Sequence, residues 1–274
     1  MTEADPIDPT GSGRLWVLFD GSPGSQAALL QALPLMQALG AELRALYIED
    51  PALARCASLS INLEVGAVSG RLRARGPSEH RHAQAVQRQR AQVVLDHLLG
   101  TRALSLALES RPGPALEVLA DLVDDQDWVV TGRSGYAGWQ PTRPGSLTRS
   151  LADAPRSTLM IGSPSGRSHP GPWLLLLDDP TSTQRRLSRA RDLLGPGGAE
   201  LRIVCQSGSA ADYATPAAPW IRQRIASGLA LQALIQDQQA AGLIASADSA
   251  LIRTGLAAGW LDRIDRPLLV LPEY

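Results

Sequence analysis

Lysine is absent from this 274-residue chain: all 26 positions counted as Lys or Arg are arginine. That excludes a phosphate-binding loop built on Gly-Lys-Ser/Thr, a lysine nucleophile and a Schiff base. Cysteine is scarce too. Cys56 and Cys205 are far apart and too few for a disulfide framework or a metal set, so buried free thiols are expected. Neither sign of charge is in excess: a net charge of −1 gives no overall attraction to nucleic acid, which is not an expected partner. No long apolar run occurs. The longest, near 173–177, falls far short of the roughly 20 residues of a membrane helix, so a membrane is not an expected partner either. The first 13 residues are acidic and lack the basic start and apolar core of an export signal. A cytoplasmic location is expected.

What is present is a regular alternation. Strands are predicted at 14–19, 43–48, 104–108, 128–131 and 158–161, with helices at 25–39, 80–99, 114–124 and 147–153. Ser25 is the expected cap of the first helix, and the Gly- and Arg-rich residues 51–79 read as irregular. Short, continuously apolar strands separated by helices predict an α/β fold with a mostly parallel sheet covered on both faces.

The pattern then returns. A strand at 173–177 ends in Asp178 as the first ends in Asp20, an offset of 158, and at that offset Gly40-Ala41-Glu42-Leu43-Arg44 recurs as Gly198-Ala199-Glu200-Leu201-Arg202. Residues 113–130 align with 228–245 at an offset of 115, and the last strand, 268–271, aligns with 158–161 at an offset of 110. Two tandem copies of one domain follow, 14–163 and 172–274, joined through a Ser/Pro/Gly-rich stretch. The second copy is truncated: most of the counterpart of 51–99 is missing, and so are five residues further on.

Between the fourth strand and the helix after it lie Gly132-Arg133-Ser134-Gly135 and, nine residues later, Gly145-Ser146. A strand that delivers a glycine-spaced loop to a helix N-terminus is suited to phosphate, because free N–H groups point at the anion and small residues let it approach. Ser146 is the expected N-cap and a hydroxyl donor. In an open parallel sheet the carboxyl ends of the strands converge where strand order reverses, which groups Asp20, Ile48 and Gly132. A carboxylate there suits a ribose hydroxyl or an adenine edge.

On these residues the chain resembles the universal stress protein family in its tandem-domain form. The family's ATP-binding signature, G-x2-G-x9-G-S/T, is matched by Gly132, Gly135, Gly145 and Ser146, and Asp20 matches the aspartate directed at the nucleoside. Leu18 and Ile48 match the apolar positions beside the adenine. Thr131, Arg133 and Leu147 lie just before, within and just after the loop. The resemblance implies two tandem Rossmann-like (adenine nucleotide alpha hydrolase-like) domains, each with a mostly parallel five-strand sheet. They would form an intrachain pseudo-dimer with the strands at 158–161 and 268–271 antiparallel at its centre, and a further homodimer would be compatible with it. It also implies ATP, AMP or ADP as ligand, with Mg2+ a candidate companion, and a stress-response regulator whose nucleotide alters a surface for a regulatory protein partner. The competing expectation is a nucleotide-free tandem domain serving as a protein-interaction module.

The second copy departs from the signature. The offsets place Ala247 and Ala250 where Gly132 and Gly135 stand, and Gly255 and Leu256 where Gly145 and Ser146 stand, so one nucleotide site per chain is expected. No Ser/His/Asp arrangement, paired carboxylates or metal cluster accompanies the loop, and neither an S-G-G-x-D-S loop nor an H-x-G-H motif occurs. Binding is expected without fast turnover, with slow ATP hydrolysis the most that chemistry would allow. Arg133 and Arg143 are candidate bidentate partners of the outer phosphates or solvated loop residues. Tyr136 and Trp139 are expected to pack on neighbours. Asp124, Asp125 and Asp127 are expected to be a solvated patch, as are Arg71, Arg73, Arg75, Arg81, Arg88 and Arg90. His80 and His82 have no third ligand nearby, and Trp173 and Trp220 are expected at strand starts.

Overall fold

The computed structural model describes residues 13–49, 63–65, 70, 72–74, 77–102, 104–133, 145–153, 155, 157–178, 183–194, 200–205, 220–225, 227–258 and 261–272. The chain runs β1 (Arg14–Leu18), α1 (Pro23–Leu39), β2 (Glu42–Glu49), β3 (Leu63–Val65), β4 (Leu72–Ala74), α2 (Pro77–Gly100), β5 (Leu108–Pro112), α3 (Ala115–Leu122), β6 (Trp128–Thr131), α4 (Ser146–Asp153) and β7 (Thr158–Ile161). It continues with β8 (Trp173–Leu177), α5 (Thr183–Leu194), β9 (Leu201–Cys205), β10 (Trp220–Arg224), α6 (Gly228–Asp237), β11 (Gly242–Ser246), α7 (Ala250–Ala258), a 3-10 turn (Leu261–Arg263) and β12 (Leu268–Leu271).

Ten strands form one sheet in the order β10-β9-β8-β11-β12-β7-β6-β1-β2-β5. From the centre outward each half reads fifth, fourth, first, second and third strand of its own stretch of chain. All neighbours are parallel except β7 and β12, which pair antiparallel with Leu269 opposite Met160, as expected for those two strands. The central strands are buried on both faces, which is why they are continuously apolar. Leu15, Val17, Phe19, Leu175 and Leu177 face α1, α2 and α5, while Trp16, Leu18, Val129, Leu159 and Leu174 face α3, α4, α6 and α7. Helices α1 and α5 also touch each other across the centre.

Several local expectations are corrected. The cap of α1 is Ser22, whose hydroxyl accepts from the Ser25 N–H at 3.3 Å, with Pro23 in the first turn and left-handed Gly40 closing the helix. The strand expected at 104–108 is β5 at Leu108–Pro112, pairing Ala45 with Leu108. It is an edge strand, partly exposed along its length, so an apolar run does not mark it. Residues 51–79 include the antiparallel pair β3–β4, and α2 begins at Pro77. Asp127 is not surface: at 2% exposed it accepts from the Arg14 N–H (2.7 Å), the Trp16 indole (3.1 Å) and the Asp124 N–H (3.1 Å), tying β1 to the turn before β6. Asp124 and Asp125 are exposed as expected.

Candidate functional site

Strand order reverses between β1 and β6 in one half of the sheet and between β8 and β11 in the other, so each half has one cleft beyond its strands' carboxyl ends. At the first, the Phe19 N–H donates to the Leu46 carbonyl (2.9 Å), and Asp20 follows with a carboxylate oxygen accepting from the Ser22 N–H at 2.9 Å. This turn aims the chain into α1. Tyr47, at the end of β2, has its phenol pushed up, first by burial and then by the charges of Asp20 and Glu49. Leu18, Ile48 and Leu147 belong to a single apolar cluster on the α3/α4 face of the sheet.

The loop after β6 is closed at its neck. The Gly145 N–H donates to the Arg133 carbonyl at 2.6 Å, so Arg133 and Gly145 meet directly. Gly135, Tyr136, Trp139 and Arg143 lie outside the described residues. The buried Thr148 hydroxyl reaches the Gly132 carbonyl at 3.0 Å and the Arg133 carbonyl at 3.4 Å. Sequence reasoning missed Thr148. A hydroxyl residue two places after a Gly-Ser helix start was the signal. Ser146 is the exposed first residue of α4 rather than its cap, and the opening N–H groups of that helix have no intrahelical acceptor. Thr131, 5% exposed, directs its hydroxyl to the Gly132 carbonyl at 3.1 Å.

Two expectations about this loop change. A Cβ on Gly132 would lie 2.5–2.8 Å from backbone atoms of Gly24 and Ser25, so the missing side chain lets α1 close on the end of β6. The close approach that glycine permits there is to the protein's own backbone. Arg133 is not a loop cation facing solvent. It is 3% exposed, and its Nε donates to the Gly162 carbonyl (3.2 Å), Nη1 to that of Leu261, and Nη2 to those of Ile264 (2.7 Å) and Arg266 (3.0 Å). A buried guanidinium needs such acceptors, and the carbonyls of a short helical turn supply them.

The second reversal point is built differently. Val17 of β1 pairs with Val130, and Leu175 of β8 pairs with Ile244, which sets the offset between β6 and β11 at 114 rather than 115. Gly132 therefore corresponds to Ser246, not Ala247. Gly242 corresponds to Trp128, and the space its side chain would fill holds the Trp173 ring. Fourteen residues separate β6 from α4, whereas three separate β11 from α7. Gly255 and Leu256 thus lie inside α7 and have no loop role. The apparent five-residue deletion conceals a larger loss of loop, offset by a longer connection before β12. In the cleft itself Arg186 of α5, whose side chain is 12% exposed, bridges Asp178 (2.5 Å) and both carboxylate oxygens of Asp248 (3.0 Å). Among the described residues no three His, Cys, Asp or Glu side chains come together to hold a metal ion, and no helix is long and apolar enough to cross a membrane.

No family model and no curated protein matches the sequence. The backbone, however, has close counterparts. A crystal structure of a universal stress protein from Archaeoglobus fulgidus superposes with a TM-score of 0.66 at 13% identity, covering 96% of this chain and 99% of that one. The fold is that of the universal stress proteins. A putative universal stress protein from Pseudomonas aeruginosa shares the universal stress fold with this chain at a TM-score of 0.59 and 13% identity, over 96% of this chain and 94% of its own. A functionally unknown protein, also from Pseudomonas aeruginosa, gives the same score and identity over 96% and 93%.

Proposed function

We infer that the chain is an adenine-nucleotide-binding universal stress protein made of two copies of one domain, the first holding ATP, ADP or AMP and the second holding none. The observation that carries this reading is the closed neck of the loop, where the Gly145 N–H meets the Arg133 carbonyl at 2.6 Å beside the opening N–H groups of α4. Leu18, Ile48 and Leu147 offer an apolar floor for the base, and Asp20 a carboxylate for the sugar. Among the described residues, a Cβ on Gly145 would meet the Arg133 carbonyl oxygen alone, at 3.6 Å. The nucleotide would supply phosphate charge, met by the N–H groups of α4 and the Ser146 hydroxyl. Asp20 is assigned to the sugar, so the chain acts as a binder with at most slow ATP hydrolysis, and occupancy orders a surface for a regulatory protein partner in the cytoplasm, with Mg2+ accompanying the phosphates.

A thermal melt with and without Mg-ATP tests the reading. Ligand at about 100 times its Kd stabilises a single-site binder by roughly 2.7 kcal/mol. Gly135→Arg should abolish the shift. A parent protein that shows no shift, and carries no adenylate when purified and analysed by mass spectrometry, is instead a nucleotide-free interaction module. That second reading is favoured by one observation: the Arg133 guanidinium is already occupied by carbonyls of the chain.

A further inference from the structure

Arg133 stands in two places at once. Its main chain is the neck of the loop: its carbonyl accepts from the Gly145 N–H at 2.6 Å and from the Thr148 hydroxyl at 3.4 Å. Its side chain leaves the loop altogether and enters the other half of the molecule, where Nη1 and Nη2 hold the carbonyls of Leu261, Ile264 and Arg266. Those carbonyls belong to the 3-10 turn Leu261–Arg263 and the residues that lead into β12. The same segment is fastened further on. The Arg266 Nε donates to the Ala240 carbonyl at 2.6 Å, its Nη1 meets His169 at 3.0 Å, and Asp265 accepts from the Ser165 N–H at 3.1 Å. Gly162, the fourth acceptor of Arg133, begins the linker between β7 and β8. One residue therefore joins the loop neck, the linker and the segment ahead of β12.

We propose that Arg133 is a positioning residue that makes the pairing of Arg133 with Gly145 at the loop's neck and the docking of residues 261–266 interdependent. The physical reason is the cost of moving either end alone. If the neck shifts, the guanidinium is drawn away from carbonyls that satisfy it in a site where it is only 3% exposed. If residues 261–266 lift, the same cation loses the three carbonyls of that segment and the neck loses its anchor there. Coupling of this kind is reciprocal, so a ligand that tightens the loop tightens the seam between β7 and β12, and a partner that pulls on 261–266 loosens the loop. An arginine suits the role where a lysine would not, because its planar fork reaches several carbonyls at fixed spacing. The proposal rests on the binding reading above only for its ligand; the mechanical link stands in the protein without nucleotide.

Hydrogen exchange on the full chain decides it, read separately over residues 145–149 and 261–266. Without nucleotide, Thr148→Val removes the hydroxyl that holds the neck, whose hydrogen bonds go to the Gly132 and Arg133 carbonyls. It should raise exchange in both segments, by about tenfold in the second for coupling of ordinary strength. Unchanged exchange at 261–266 in Thr148→Val overturns the proposal. Arg133→Met should loosen both segments, and Arg133→Lys should lie between it and the parent. With Mg-ATP added, the parent should gain protection in both segments and Arg133→Met in 145–149 alone. Protection of 145–149 in the parent without any at 261–266 would also overturn the link. If ATP protects neither segment while Thr148→Val still loosens both, it is the nucleotide reading that fails and the coupling that survives.

Discussion

The two clefts where strand order reverses sit in corresponding places of a single sheet and have opposite contents. Beyond β1 and β6 there is a fourteen-residue connection, a glycine pressed against α1, and one carboxylate, Asp20, engaged by a backbone N–H. Beyond β8 and β11 there is a three-residue connection and an arginine, Arg186, bridging two carboxylates. A parallel sheet always leaves such a cleft, since its strands end together there, and the chain must either line it for a ligand or fill it. The second half fills its cleft with Arg186 and its two carboxylates, and the proposed function has the first half line its cleft for a nucleotide. Filling is not merely loss of a motif: Arg186 and Asp248 are additional charged groups that satisfy one another in the second cleft.

The largest effect that would test this contrast is expected at Gly132. Gly132→Val places carbons inside the van der Waals contact of Gly24 and Ser25 and should lower stability by about 3 kcal/mol, whereas Ser246→Val at the corresponding buried position, where a Cβ already fits, should cost less, about 1 kcal/mol. Urea denaturation of both variants checks the pair, and equal losses would mean the two clefts are not packed differently. Next, Arg186→Met leaves Asp178 and Asp248 facing each other without their shared cation. A loss of about 2 kcal/mol is expected, less than for a fully buried pair because Asp248 is 42% exposed. The variant should not gain nucleotide binding, which a fluorescent adenylate would reveal. A smaller loss, about 1 kcal/mol, is expected for Ser22→Ala, which removes the cap that starts α1 beside the first cleft. Thermal unfolding measures it.

The smallest effect at neutral pH separates the two halves only in alkali. At corresponding places in β2 and β9 stand Tyr47 and Cys205, and burial pushes the Cys205 thiol up to about 11 from its ordinary 9.0. A folded-state value above the unfolded one means the stability contribution is complete below pH 9 and is lost as pH rises through about 11. The urea midpoint should therefore fall between those values, and Cys205→Ala should fall less steeply. An identical pH profile for parent and variant would show that the thiol is not held neutral by the fold.

Much of this architecture was legible in the residues. The strands 128–131, 158–161, 173–177 and 268–271 coincide with β6, β7, β8 and β12, because strands buried on both faces must be almost wholly apolar. The edge strand β5 was misplaced for the same reason in reverse: a partly exposed strand can carry Glu109, Ser110 and Arg111 and leaves no apolar trace. The loop and its flanking residues were found from glycine spacing, but the use made of them was not. Gly132 reads alike whether it admits a phosphate or a helix backbone, and the difference lies in where α1 begins relative to β6. Thr148 was passed over because a hydroxyl within a helix is common, and only the returning chain gives it carbonyls to hold. The one-residue error in aligning β11 came from matching Gly113 to Gly228, although the two glycines stand differently relative to their helices.

By itself the order of apolar runs determined the alternation of strand and helix and a mostly parallel sheet, since those follow from which backbone segments can be desolvated. What an arginine does was decided by the tertiary structure alone. Arg133 and Arg186 are the same side chain beside comparable strands, yet one holds backbone carbonyls across the centre of the sheet and the other two carboxylates within its own half. A buried cation goes to whichever acceptors the rest of the chain brings within about 3 Å, and no local pattern of residues specifies those.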